Sequence, residues 1–173
     1  MYLFFLAVAA IQGIEFFLWN HLDNKTWNIN LSYLCCFIIG IQPLFLILMI
    51  PTLWIRYVML FLHAVYLIVF YIKRKHYYTS VGKNGHLRWE WLDYKGYEYI
   101  WFFVYLLFYI IPVLLLKNNT LTFMLLTLLG LSLFFYFKHH TFGTIWCWVS
   151  NFYLLFFLID ILLIQPYLNH SIC

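Results

Sequence analysis

Charge is scarce in this sequence. Asp, Glu, Lys and Arg make up only 9% of its 173 residues, against about 25% in an ordinary soluble domain. Ten Lys and Arg with six Asp and Glu cannot cover a solvated surface. That excludes a disordered chain, a soluble enzyme domain and a nucleic-acid binder, whose phosphate contacts need a dense basic face. Small residues are also few: Gly numbers 7 and Ala is rare, so close helix contact through small-xxx-small pairs is not the packing device. The 4 cysteines, Cys35, Cys36, Cys147 and Cys173, form no disulfide framework. No H-E-x-x-H, G-x-S-x-G or Walker pattern occurs. No Lys lies in the core of an apolar run, which excludes a retinal Schiff base. No cofactor is implied.

What is abundant is apolar bulk. Apolar residues reach 66% and aromatics 24%. A hydrocarbon core of about 30 Å needs about 20 apolar helical residues. Six runs qualify, at residues 1–19, 31–50, 53–72, 99–116, 120–137 and 143–164. The expected fold is therefore all-α, a single membrane domain over 1–173 built as a bundle of six transmembrane helices. The first run reads as a helix rather than a cleaved leader. It lacks a basic start, and Gln12 and Glu15 interrupt it. Pro51 ends the second run and Thr52 can cap the third. Trp and Tyr crowd the ends, as in an interfacial belt.

Orientation follows from the basic residues. The first, third and fifth connections carry Lys25, then Lys73, Arg74, Lys75, Lys83, Arg88 and Lys95, then Lys138. The other side has Lys117, with Arg56 a turn inside the third helix. Short basic loops stay cytoplasmic, so both termini are expected on the non-cytoplasmic side.

Polar groups inside a spanning helix are costly and point to a site or to interhelical bonds. The candidates are Gln12 and Glu15 in the first helix, Gln42 beside Pro43 in the second, His63 in the third, and Cys147 and Asn151 in the sixth. Counted from the helix ends, Gln12, Gln42 and His63 fall near the midplane. Glu15, Cys147 and Asn151 fall in the cytoplasmic half. One reading is a pocket open to the cytoplasm, with Glu15 and His63 able to relay a proton or hold a cation. The other is interhelical glue. Pro43 frees a carbonyl that Gln42 could satisfy. Arg56 either snorkels outward or pairs with Asp160.

The long connection holds Trp89, Glu90 and Trp91, read as an interfacial anchor or as a lid over the cytoplasmic mouth. Lys73, Arg74 and Lys75 suit anionic lipid, or serve only as the topology signal. His21, His139 and His140 fit no metal motif. Cys35 and Cys36, near the cytoplasmic end of the second helix, are candidates for S-acylation.

Four segments together carry a resemblance. They are Gln12 through Trp19 (QGIEFFLW), Gln42 with Pro43, Trp89 through Trp91, and Gly143 through Trp148 (GTIWCW) with Asn151 following. In this order and spacing the chain resembles a family of small multi-pass membrane proteins of unknown function encoded by large double-stranded DNA (giant) viruses. The likeness runs from about residue 10 to 155. It implies a host or viral membrane and no particular reaction. Family members carry one more helix at the N-terminus, so the resemblance implies a seven-helix pattern of which this chain holds six.

Three functions fit these residues. The first is a non-enzymatic membrane protein with a cytoplasm-facing intramembrane polar site for a small solute, proton or cation. The second is a structural or interaction protein of a viral or virus-modified membrane. The third is a lipid-acting enzyme using Glu15 and His63 as acid and base. The bilayer is the one partner implied; an oligomeric state is not.

Overall fold

The computed structural model describes residues 2–74, 76–92, 99–159 and 162. Among them are six α-helices: α1 (Tyr2–Asn20), α2 (Lys25–Ile47), α3 (Leu53–Lys73), α4 (Tyr99–Leu115), α5 (Asn119–His139) and α6 (Phe142–Ile159). Between α3 and α4 lie two short strands, β1 (Thr79–Val81) and β2 (Leu87–Trp89), and a single 3-10 turn at Glu90–Leu92. The fold is all-α, and among the described residues this hairpin and its 3-10 turn are the only additions to the helices. Four helices, α1, α2, α3 and α5, are long and apolar enough to cross a membrane. The other two, α4 and α6, are apolar but shorter.

The helix ends have local causes. Asn24 caps α2 by accepting the Trp27 N–H at 3.2 Å, so α2 starts at Lys25 and not at the apolar run from Leu31. A polar cap, not hydropathy, sets that boundary. Asn118 caps α5 in the same way, accepting from the Leu121 N–H at 3.0 Å. Thr52 holds the cap position of α3, but its hydroxyl makes no cap bond. Arg56 instead turns back to the Ile50 carbonyl with Nε and Nη2, at 2.8 and 2.5 Å. It neutralises a carbonyl at the end of the preceding segment, where the helix dipole is negative. Asp160, its alternative partner, lies outside the described residues. Lys117 (φ 51°) and His140 (φ 58°) adopt the left-handed conformation that turns the chain after α4 and α5.

The helices α1, α2 and α6 form the centre. α1 packs along α2 and α6, α5 along α6 and α4, and α2 along α4 and α3. The core holds Ile11, Leu18, Cys35, Ile47, Phe102 and Cys147, each fully buried. α3 is peripheral: its buried residues are Met59, His63 and Tyr66, one stripe at i, i+4, i+7. Large apolar side chains such as Phe16, Phe61, Phe123 and Phe152 point outward. An apolar exterior around a packed interior is what a bilayer solvent demands.

Candidate functional site

The hairpin brings three connections to one end of the bundle. In its ladder Thr79 faces Trp89, Ser80 faces Arg88 and Val81 faces Leu87. Bonds of Gly82 N–H to the His86 carbonyl and Glu90 N–H to the Tyr78 carbonyl fix the phase. Thr79 and Leu87 therefore sit at non-hydrogen-bonded positions, and their backbone groups point away from the partner strand. Each finds a side chain in a helix. The Asn28 amide of α2 donates to the Thr79 carbonyl at 2.8 Å and accepts the Thr79 N–H at 2.9 Å. It acts as one more strand residue at the free edge of β1. Its remaining bonds go to the Leu22 carbonyl and to the Ser32 hydroxyl, both at 3.2 Å. All four bonding positions of the amide are used. Ser32 also meets the Thr79 hydroxyl at 2.7 Å.

The other edge docks on the turn between α5 and α6. Asn84 donates to the Thr141 hydroxyl at 2.9 Å. Trp89 packs directly against Gly143: a Cβ there would lie 1.8 Å from the indole ring. Trp91 stacks on Trp89 with centroids 5.2 Å apart and planes 11° from parallel. Both tryptophans are buried, with Leu87 and Leu92 beside them. Glu90 stays at the rim, where Ser80 donates to it and Arg88 lies 3.6 Å away.

Directly beneath the hairpin is Glu15. It is 5% exposed and accepts a hydrogen bond from the Thr144 hydroxyl at 2.8 Å. The same hydroxyl lies 3.1 Å from the Leu87 carbonyl of β2. Cys35 and Cys147, both fully buried, lie within electrostatic range of it. Cys147 in turn interacts with the Gln12 side chain. No ion pair to Glu15 occurs among the described residues.

Gln42 belongs to a second group. Pro43 has no N–H, which leaves the Ile39 carbonyl of α2 without its helical donor. Tyr105 of α4 supplies the missing donor at 2.8 Å. Tyr109 meets the Tyr105 hydroxyl at 2.6 Å and the Gln42 Oε1 at 3.1 Å. Two phenol protons cannot serve three contacts. A half-turn of the Gln42 amide completes a one-way chain from Nε2 through Tyr109 and Tyr105 to Ile39. It also gives Nε2, otherwise without an acceptor, its bond.

The remaining candidates stand apart. His63 is buried, faces the Gly40 backbone and packs on the Phe108 ring at 5.0 Å. Asn151 is exposed on the outside of α6. The structure thus gathers Gln12, Glu15 and Cys147, ties Gln42 to two tyrosines, and joins neither His63 nor Asn151 to them. Cys35 and Cys36 are both buried, so neither of these two thiols is accessible for S-acylation. Lys73 reaches back so that its ammonium lies 4.6 Å over the Trp101 ring, and Arg74 lies over Phe70 at 5.9 Å. Lys75 lies outside the described residues.

Sequence reasoning passed over Thr144, Asn28, Tyr105 and Tyr109. Asn28 and Ser32 are four apart and straddle the start of the second apolar run, so neither stands out as an intramembrane polar group. Tyr105 and Tyr109 share the same spacing, and a hydroxyl pair on one helix face facing Pro43 was the available signal. The chain is a helical protein with the apolar segments of a membrane protein, and no protein-family model, curated protein or solved structure matches it.

Proposed function

We propose that this chain is a non-enzymatic, multi-pass membrane protein that holds a proton or a small cation at Glu15, in a site closed on its basic side by the docked hairpin. The Thr144 hydroxyl carries this reading. It sits between the Glu15 carboxyl and the Leu87 carbonyl, yet has one proton to give. When the carboxyl is protonated, it donates to Thr144, and Thr144 donates to Leu87. Both contacts are then met. When the carboxyl is ionised, the threonine hydroxyl donates its hydrogen bond to the carboxylate and Leu87 loses its donor. A small cation on the carboxylate, with the threonine oxygen as a second ligand, restores the proton to Leu87 in the same way. Loading of Glu15 and docking of the hairpin therefore favour each other, and such linkage is reciprocal. A buried carboxylate without a counter-charge is costly, which makes an occupied site the closed one.

Six spanning helices, with the hairpin toward the cytoplasm and both termini away from it, complete the proposal. It rests on the eight Lys and Arg of the first, third and fifth connections. The likeness to giant-virus membrane proteins argues for a host or viral membrane. A lipid-acting enzyme is less well supported, because Glu15 and His63 share no hydrogen bond among the described residues. A purely structural role in such a membrane has one observation in its favour: four cavities among the described residues are lined almost wholly by apolar side chains.

Flux into liposomes separates the two. Under an imposed proton or sodium gradient the wild-type protein should conduct. Glu15→Gln, whose amide can still bond Thr144, should fold and lose the flux. Silence of the wild type under both gradients would leave the structural role as the better account.

A further inference from the structure

The hydroxyls of Ser132 in α5 and Ser150 in α6 are fully buried and meet no donor or acceptor among the described residues. A serine or threonine inside an apolar helix ordinarily turns its hydroxyl back to the carbonyl four residues earlier. Thr122 and Thr127 of α5 do so, at 2.9 Å each. Ser132 and Ser150 do not. They also share a level. α5 and α6 pack along each other through a short turn, with Ser132 seven steps before His139 and Ser150 eight steps after Phe142. Both therefore lie about 10–12 Å from that turn, at roughly 1.5 Å per residue.

Polar groups lead from Glu15 to this level. Along α6, Thr144, Cys147 and Ser150 follow at three-residue intervals, all buried. Thr144 bonds Glu15, and Cys147 interacts with Gln12, one turn of α1 from Glu15. One turn past the serines, Leu128 and Tyr153 line an apolar cavity of about 50 Å³, at the end of the bundle away from the hairpin. A single water needs roughly 10–15 Å³. Leu121, Met124 and Tyr153 of its wall are half-buried, so the cavity reaches the outside of the bundle.

We infer that this line is the path by which a proton passes between Glu15 and the side of the membrane away from the hairpin. The inference rests on Glu15 as the loaded group, and it narrows the carried species to a proton. A dehydrated cation needs several oxygen ligands at each stop. Beyond Glu15 the stops offer only hydroxyls, a thiol and one amide. A proton needs no more than a chain of hydrogen bonds. A buried hydroxyl without a protein partner is where water completes such a chain. Each oxygen along it gains one O–H bond and loses another, so the net change is a proton moved.

Proteoliposomes of the full chain test this. The wild type should carry protons under an imposed pH gradient and no sodium under a sodium gradient. Ser132→Ala with Ser150→Ala removes two unpaired hydroxyls, so the melting temperature in detergent should hold or rise. Its proton flux should nevertheless fall about tenfold or more, a modest part of what positioned proton-transfer groups contribute. Leu125→Phe adds bulk to the cavity wall without touching a polar group and should lower the flux as well. Wild-type flux in either variant, with Glu15→Gln silent, would overturn the path and leave Glu15 as the site. Sodium carried as fast as protons would overturn it in the same way. A silent wild type would overturn the path together with the reading it rests on.

Discussion

Asn28 shows how much one side chain decides here. Its amide meets both backbone groups of Thr79 and stands in for a neighbouring strand. Replacing it by alanine leaves a buried N–H and a buried C=O without partners. Each such group costs about 1–3 kcal/mol, so Asn28→Ala should lower unfolding stability by at least that much. The fall in melting temperature in detergent reads it, and an unchanged value would show that the hairpin does not dock through this residue. None of this was legible in the sequence. Asn28 stands before the second apolar run, outside the polar groups a spanning helix makes conspicuous, and its partner lies 51 positions away. Glu15 was legible, because a carboxylate inside an apolar run is conspicuous. Its partner Thr144 was not, since a threonine near a helix start reads first as a cap.

At the scale of elements, α2 and α4 are joined where α2 is weakest. Pro43 removes the donor that Ile39 needs, and Tyr105 replaces it from the neighbouring helix. The break in one helix becomes the bond between two. Tyr105→Phe should therefore cost about 1–3 kcal/mol, the price of an unsatisfied buried carbonyl. In a Pro43→Ala background the helix recovers its own donor, and the same change should cost less than about 1 kcal/mol. Equal costs in the two backgrounds would show that Tyr105 acts elsewhere. The position of Pro43 and the freed carbonyl were readable from sequence; the identity of the donor was not, and Gln42 was the nearer guess. The helices themselves were readable because apolar length sets them. The starts of α2 and α5 depend on Asn24 and Asn118, which hydropathy does not weigh. The two strands escaped notice because three residues each are too few for a period-two pattern to stand out.

For the whole molecule, the central feature is an end-on closure. Connections one, three and five meet at one end, and the hairpin of the third seats two tryptophans between α2 and α6. An apolar bundle could be sealed by helices alone; here a strand pair covers the buried carboxyl and shares a hydroxyl with it. A loaded site at Glu15 requires that this hairpin keep water from the carboxyl. Cys147, fully buried beside Glu15, is a built-in reporter. With Cys35, Cys36 and Cys173 changed to alanine, an impermeant maleimide applied to the hairpin face should label Cys147 slowly. Gly143→Ala, which thrusts a methyl group into the Trp89 ring, should raise that rate about tenfold or more, the factor that roughly 1.4 kcal/mol of lost docking gives. Equal slow rates in both proteins, with full reaction after denaturation, would contradict the account and leave a dry bundle in which the polar residues only hold helices together.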